Sequence, residues 1–276
     1  MTEQLYRLQP PHSELEPFVR RLMVADCDIE DALKIRPGPT GYNYLGWYCC
    51  GEAQIVVDGE SQSCTGLHFS GQIQGQEIEV AYQRTHLTHI LAEFTATGLA
   101  RLTGVLGDDI RGATVPVAAL DPSLERRLAD GLDECGSSEA ERIDAFQRAL
   151  GALVPTARPP IDYVEDAVRM IEDSDGQVPI ATVARELDVS QRHLSRRFKK
   201  VVGIGPKYFA KVLQLNTALA ALLANDDSYL ATLCQECGYY DQAHFVHVMQ
   251  EFFRRDPTAF LRSRDDVIAT FLGRSR

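Results

Sequence analysis

Cysteines and histidines are the residues of this 276-residue chain with the most distinctive chemistry. One group in the first half has the residue types that hold zinc or supply a reactive thiol: Cys27, Cys49, Cys50, Cys64 and His68. No two of them have the paired spacing that marks a structural zinc site, and seven cysteines at irregular positions favour no disulfide framework. We therefore predict no metal ligands, and metal or redox sensing by these cysteines stays open as an alternative.

Two further patterns resemble ligand sets. His86-x-x-His89 with Glu93 has suitable residue types, but residues 86 and 89 of a strand face opposite sides. Cys234-x-x-Cys237 occupies the buried spacing of a helix. We predict structural histidines in the first case and core packing in the second.

Aromatic residues cluster at Tyr42, Tyr44, Trp47 and Tyr48. Such rings can line a small-molecule pocket inside a barrel, or they can form an ordinary core, and the sequence favours neither. Nothing resembles a phosphate-binding loop, a nucleophile elbow or a paired-carboxylate site. We predict no catalytic residues, no cofactor and no enzymatic activity.

The elements around these residues are strands followed by helices. Aromatic residues favour a strand over 43–50, and a second strand over 54–57 meets the hairpin turn Asp58-Gly59. Further strands are predicted over 77–82 and 86–94. Leucines four residues apart then indicate a helix, and Ser138-x-x-Glu141 is a capping box that opens another. The pattern predicts a small barrel or sandwich closed by two helices.

The net charge divides unevenly along the chain. Lys and Arg number 28 against 39 Asp and Glu, which gives −11. Three prolines within 155–160 predict a linker between domains at 1–154 and 161–276. Residues 1–160 carry a net charge of −10 and residues 161–276 carry −1, so the excess of acidic residues lies in the first half.

With no signal peptide and no apolar run of about 18 residues, we expect a cytoplasmic protein without membrane contact.

A helix-turn-helix pattern occurs twice in the second half. The first copy has apolar residues at Ile180, Val183, Ala184 and Leu187, then at Leu194, Phe198 and Val201. About fifty residues later the pattern returns at Leu230, Leu233, Cys234 and Cys237, then at Phe245, Met249 and Phe252. Ser190 and Asp241 can cap the second helix of each copy, and a helix over Lys207 to Ala224 connects the copies.

The second helices of the two copies differ in their outward faces. The first presents Arg192, Ser195, Arg196 and Lys199, within a segment, 185–211, of net charge +6. Arginine suits a paired contact to guanine and lysine suits a phosphate. The second presents Ala243, Val246, His247 and Gln250, within a segment, 225–262, of net charge −3. We therefore predict that the first copy reads DNA and that the second either binds DNA weakly or reads mainly its shape and apolar contacts.

Three motifs agree in order and spacing with one known family. They are Ile180-x-x-Val-Ala-x-x-Leu-x-Val-Ser-x-x-His-Leu-Ser-Arg-Arg-Phe-Lys-Lys-x-x-Gly-x-Gly-Pro-Lys207, Cys237-Gly-Tyr-Tyr-Asp-Gln-Ala-His-Phe245 and Asp256-Pro257. Together they resemble the DNA-binding domain of the AraC/XylS family of bacterial transcription regulators over about residues 161–263. The first half resembles the cupin-like effector-binding and dimerisation domain of that family.

The resemblance implies an α+β chain: a small cupin-like barrel with two following helices, then an all-α domain of two helix-turn-helix motifs joined by a central helix. The family's base contacts fall on Arg192, Ser195, Arg196, Gln242, Ala243, Val246 and His247. His247 departs from the family, which usually has arginine there. The expected partners are promoter or operator DNA, a small-molecule effector, a second copy paired through the 121–154 helices, and RNA polymerase. Besides metal or redox sensing, the alternatives are an alkylation-repair-type protein with N-terminal acceptor cysteines and a regulator whose N-terminal domain binds a protein without a small ligand.

Overall fold

An antiparallel sheet of eight strands forms the first part of the computed structural model, which describes residues 5–133, 135–224 and 234–253. The strands are β1 (Arg7–Gln9), β2 (Val19–Ile29), β3 (Leu33–Ile35), β4 (Tyr44–Val57), β5 (Glu60–Ser70), β6 (Ile78–Tyr82), β7 (Thr85–Phe94) and β8 (Thr114–Pro116). Their order is β1-β2-β7-β4-β5-β8, and β6 pairs with both β3 and β4. The predicted sheet domain is thus confirmed.

Strand β4 organises this sheet. It was predicted as two short strands, but it is one strand of 14 residues, because its register merely shifts between Tyr48 and Ala53. Its first half pairs with β7 and its second half with β6, so the sheet divides along one strand. The predicted Asp58-Gly59 turn follows, with both residues at positive φ (49° and 90°), as a tight hairpin requires.

The two faces of the sheet bury different residues. One face packs against helices through aliphatic and phenylalanine side chains, among them Leu45, Phe69 and Phe94. The other face gathers tyrosines with smaller apolar residues, among them Tyr6, Tyr48 and Tyr82. Alternation along the strands sorts the side chains in this way, because neighbouring residues point to opposite faces.

Helices α1 (Gly98–Leu102), α2 (Val117–Leu120), α3 (Pro122–Leu132) and α4 (Glu139–Gly151) cover the first face. The backbone N–H of Leu124 in α3 donates to Asp121 at 3.0 Å. At α4 the predicted capping box is confirmed: the N–H of Glu141 donates to Ser138, and the N–H of Ser138 donates to the Glu141 carboxylate. The leucines of α3 and the apolar face of α4 are buried in the same core.

The second part of the chain is helical where it is described. Its helices are α5 (Asp162–Asp173), α6 (Ile180–Glu186), α7 (Gln191–Val202), α8 (Pro206–Ala224) and α9 (Gln242–Phe253). Helices α6 and α7 form the first helix-turn-helix, with Asp188 between them at φ 53°. Four residues of the repeat pattern, Leu230, Leu233, Asp256 and Pro257, lie outside the described residues. None of the helices in the described ranges is long and apolar enough to cross a membrane.

Candidate DNA interface and effector cavity

Helix α7 presents the basic face that the sequence predicted. Leu194 and Phe198 are fully buried on its inner side, which fixes the rotation of the helix. Arg192, Ser195 and Arg196 are therefore exposed, while Lys199 is half-buried. Ser190 caps the helix by accepting from the N–H of His193 at 3.2 Å, so the basic residues lie on a helix that begins at a defined residue.

The charges on this face are only lightly paired. Arg196 contacts Nδ1 of His193 at 3.4 Å, and Arg197 is 3.6 Å from the Asp162 carboxylate at the helix flank. Within the described residues, Arg192 and Lys199 have no ion-pair partner. These cations are available to an anionic ligand such as a DNA backbone.

Helix α9 has the same local construction without the charge. Asp241 caps it by accepting from the N–H of His244 at 2.7 Å, and Phe245 and Met249 are buried. Gln242, Ala243 and His247 are exposed and Val246 is half-buried. The eight predicted DNA-contacting residues thus lie on accessible helix faces, four on α7 and four on α9.

Cys234 and Cys237 are buried in the core that α9 shares with α8, as predicted. Among the N-terminal cysteines, Cys50 is exposed and Cys64 is buried. Burial raises the pKa of the Cys49 and Cys64 thiols to about 12. Across residues 5–133, 135–224 and 234–253, no three histidine, cysteine or acidic side chains come together as metal ligands. The cysteine alternative finds no support in this arrangement.

A cavity of about 90 Å³ lies on the tyrosine face of the sheet. It brings together three of the four aromatic residues that the sequence singled out, Tyr42, Tyr44 and Tyr48. Trp47 lies outside it: on β4 it points to the opposite face and stacks on Phe146 of α4, with ring centroids 6.2 Å apart. Trp47 is therefore a core residue, and period-two alternation from Tyr48 would have separated it from the others.

The sequence analysis did not assign four further aromatic residues to the cavity: Tyr6, His68, Tyr82 and His89. The Tyr6 hydroxyl lies 2.7 Å from Nδ1 of His89 and 3.0 Å from the Tyr82 hydroxyl. The Tyr48 ring stacks on both histidines, at centroid distances of 5.0 Å and 3.8 Å. No sequence pattern joined the four, because His68, Tyr82 and His89 lie on three different strands and Tyr6 precedes β1.

The two histidines of β7 illustrate how strongly position controls charge. His86 is exposed, and the Asp28 carboxylate with that of Asp26 raises its pKa. His89, three residues on, is buried, and desolvation together with neighbouring His68 holds its pKa well below the usual value. Burial also lowers the pKa of His68 to about 4. The cavity histidines are therefore neutral at physiological pH.

One wall of this cavity faces the helical part of the chain. Tyr44 lines the cavity and donates to the Thr40 hydroxyl at 2.9 Å, while Asn216 of α8 donates to the Thr40 carbonyl at 3.2 Å. Between Tyr42 and Tyr44, the fully buried Asn43 donates to the carbonyl of Val202 at 3.1 Å. Val202 is the last residue of α7, so the cavity wall is bonded directly to the basic helix.

Two glycines let the backbones approach at this contact. A Cβ atom on Gly203 would lie 2.7 Å from the carbonyl oxygen of Gly107. Gly203 also has φ 98°, which ends α7 in the left-handed conformation. The Tyr42 hydroxyl also donates to Glu172 of α5 at 2.9 Å. The sheet and the helices therefore meet through several defined polar contacts.

Residues 183–263 match a family model described as a helix-turn-helix domain. The matched segment is an AraC-type helix-turn-helix domain. Domains of this type bind DNA in transcription regulators, and α7 and α9 are its two second helices. No curated protein sequence matches the chain.

The solved structures to which all or part of the chain is similar include the following three. An apo variant of ToxT from Vibrio cholerae is 10% identical over 92% of this chain and 99% of its own, with a TM-score of 0.50. Unsaturated fatty acid-bound ToxT from Vibrio cholerae is 12% identical over 87% and 94%, with a TM-score of 0.47. The C-terminal domain of AraT, a response regulator from Geobacillus stearothermophilus, is 23% identical over 38% and 87%, with a TM-score of 0.34.

Proposed function

We propose that this chain is a transcription regulator that reads DNA mainly through α7 and whose sheet domain senses a small molecule in the tyrosine-lined cavity. The proposed contacts on α7 are the exposed Arg192, Ser195 and Arg196 and the half-buried Lys199. The secondary contacts are Gln242, Ala243, Val246 and His247 on α9. The absence of Lys and Arg from α9 supports this division of work, because attraction to phosphate supplies much of the affinity for DNA.

The observation that carries the sensing proposal is the hydrogen bond from Asn43 to the carbonyl of Val202. Asn43 lies between two cavity-lining tyrosines, and Val202 ends the proposed reading helix. A ligand that moves the wall at Tyr44 therefore acts on the C-terminus of α7 through one side chain. An effector switches DNA binding only if it binds the two arrangements with different affinity, and this contact supplies a physical difference between them.

We also propose domains at 1–154 and 161–276 with a linker at 155–160. Residues 157–161 have neither helix nor strand, which supports a connection there. The connection is anchored rather than loose: the N–H of Arg158 donates to the Arg101 carbonyl at 2.7 Å, and Arg101 pairs with Glu165 of α5 at 3.2 Å. Such anchoring would pass movement between the domains.

A homodimer built on α3 and α4 is a further part of this proposal, with RNA polymerase as a partner of the DNA-bound form. The apolar residues Leu124, Leu128 and Phe146 are already buried against the sheet. A second copy would therefore contact the outward polar faces of the two helices. Sedimentation of the full chain at micromolar concentration tests this: a monomer throughout would contradict pairing.

The test of regulation uses a substitution in place of the unknown effector. Ile55 is buried and lines the cavity, whereas its neighbour Val56 does not line it. We expect Ile55→Phe, which fills the cavity, to change affinity for a selected DNA site at least about fivefold, the lower end of usual allosteric coupling. Val56→Phe is the matched control and should leave the affinity unchanged.

The coupling contact is tested in the same assay. Asn43→Ala should remove most of the difference between Ile55→Phe and the parent chain, because the link to α7 is lost. Circular dichroism confirms that each variant is folded. Equal DNA affinity for the parent chain and folded Ile55→Phe would contradict regulation through the cavity.

A further inference from the structure

The turn of the second helix-turn-helix contains one residue more than the turn of the first. In the first copy the N–H of Val189 donates to the Ala184 carbonyl at 3.0 Å. Fifty residues later, the N–H of Tyr239 donates to the Cys234 carbonyl at 2.7 Å, so both bonds span five positions. The two turns therefore match residue for residue as far as Val189 in the first copy and Tyr239 in the second.

The helix caps locate the extra residue. Ser190 follows Val189 directly and caps α7, whereas Tyr240 lies between Tyr239 and Asp241, the residue that caps α9. Each cap accepts from the N–H three residues later, so the two copies match again from the cap onward. Tyr240 is thus the one residue of the second turn that has no counterpart in the first.

Tyr240 also differs from the neighbouring turn residues in its exposure. Val189 and Tyr239, the equivalent residues of the two turns, pack against the apolar cores of their copies. Tyr240 is 91% exposed, and among the described residues the only other exposed large apolar side chain is that of Leu120, at 38%. The inserted residue therefore presents an aromatic ring to solvent instead of packing in the core.

The exposed face of α9 that follows Tyr240 is apolar where the face of α7 is polar. Matching the copies from their caps puts Ala243 at the position of Arg192 and Val246 at the position of Ser195. Ala243 is exposed and Val246 is half-buried. Tyr240 lies three residues before Ala243, so the apolar side chains of this face begin before the first residue of α9.

This end of α9 is the part of a helix-turn-helix that meets base edges. The second helix of such a motif lies in the major groove, with its N-terminal residues against the bases. The apolar group that a base pair presents there is the 5-methyl group of thymine. Polar base edges would lose water against an aromatic ring without gaining a hydrogen bond, which is unfavourable. An apolar side chain at this position therefore favours thymine over the other bases.

The charge around Tyr240 argues against a contact that depends on attraction to phosphate. The next residue is Asp241, and residues 225–262 carry a net charge of −3. Helix α9 contains no Lys or Arg. A contact through the tyrosine ring needs no positive charge, so it is compatible with this acidic part of the chain.

Resting on the proposed function, in which this domain reads duplex DNA, we propose that Tyr240 is an additional DNA-contacting residue. Its ring, together with the Ala243 methyl group, contacts the 5-methyl group of a thymine. The second copy then recognises an A·T pair by apolar contact, whereas the first recognises bases through arginine. The second copy thus has a sequence preference of its own although it adds little affinity.

The test replaces thymine by uracil, which keeps the hydrogen bonds of the base pair and lacks only the methyl group. The parent chain first selects a motif from a random DNA pool, and each thymine of that motif is then changed to uracil in turn. At one position or more, this change should weaken binding by the parent chain about fourfold, the effect of returning one methyl group to water. Fluorescence anisotropy with labelled duplexes measures the affinities.

Variants assign the methyl contact to the tyrosine ring. Tyr240→Ala should weaken binding to the thymine duplex at least about threefold, and uracil at the sensitive position should then cause no further loss. Tyr240→Phe keeps the ring and should bind like the parent chain. Leu120→Ala removes an exposed apolar side chain of the sheet domain and is the matched control, which should change neither the affinity nor the sensitivity to uracil. Circular dichroism checks the fold of each variant.

Three results would overturn the proposal. The first is binding by Tyr240→Ala that equals binding by the parent chain. The second is a loss for Tyr240→Phe as large as that for Tyr240→Ala, which would indicate a hydroxyl contact to phosphate. The third is equal sensitivity of Tyr240→Ala and the parent chain to uracil at every position. Each of these leaves the loss of base preference in Arg196→Ala intact, so failure of this inference is distinguishable from failure of DNA reading through α7.

Discussion

Helices α7 and α9 occupy matching positions in two copies of one motif, but the charges on their outward faces differ. Each is capped by a side-chain oxygen, at Ser190 and Asp241, and each buries an apolar face. Helix α7 adds exposed arginines, while the corresponding face of α9 has His247 and neutral residues. The contrast shows that the caps and buried residues that fold the motif vary independently of the exposed residues that determine its charge.

The largest expected effect is a difference in the loss of DNA affinity between a substitution on α7 and one on α9. Arg196→Ala should weaken binding to a selected site by about 1–3 kcal/mol and relax preference at one base, because arginine can bond guanine through two hydrogen bonds. His247→Ala should change little. Fluorescence anisotropy with labelled duplexes measures both.

Arg169→Ala is the matched control for loss of an exposed arginine, since Arg169 lies on α5 and pairs with Asp166. A loss for His247→Ala as large as that for Arg196→Ala would break the comparison. An equal loss for Arg196→Ala on every sequence would leave that residue a phosphate contact only.

The second prediction concerns the N-cap hydrogen bond that both helices have. Ser190→Ala and Asp241→Ala should each lower the free energy of unfolding by about 1 kcal/mol, because each removes an N-cap hydrogen bond. Urea denaturation measures this loss. Ser123→Ala serves as the control, since its hydroxyl lies beside the cap of α3 and Asp121 retains its backbone donors. If only one of the two substitutions lowered the free energy of unfolding, the copies would differ in construction as well as in charge.

The smallest effect sharpens the difference in charge. Lys199→Ala should reduce the slope of log affinity against log salt by about one unit, as for the loss of one phosphate contact. His247→Arg should add up to about one unit by giving α9 the charge that it lacks. Anisotropy at several salt concentrations measures both slopes. An unchanged slope for Lys199→Ala would exclude that lysine from the interface.

Local chemistry explains why much of this fold was predictable. The capping box at Ser138, the turn at Asp58 and the buried stripe through Leu194 and Phe198 each depend on residues a few positions apart. Such patterns are visible in the sequence because the interactions that they encode are local. The exposed arginines of α7 followed directly from the buried stripe.

Long-range pairing explains what the sequence concealed. His68 and His89 meet only because β5 and β7 lie on either side of β4. Asn43 reaches Val202, 159 positions away, only because the sheet packs on the helices. Trp47 was grouped with the cavity tyrosines by composition, although alternation along β4 places it in the other core.

The most direct measurement of the central claim is selection of duplexes from a random DNA pool by the full chain, by Arg196→Ala and by His247→Ala. The parent chain should select one motif, Arg196→Ala should lose preference at a base within it, and His247→Ala should select the parent motif. Selection of an unchanged motif by Arg196→Ala, with an altered motif for His247→Ala, would contradict the assignment of DNA reading to α7.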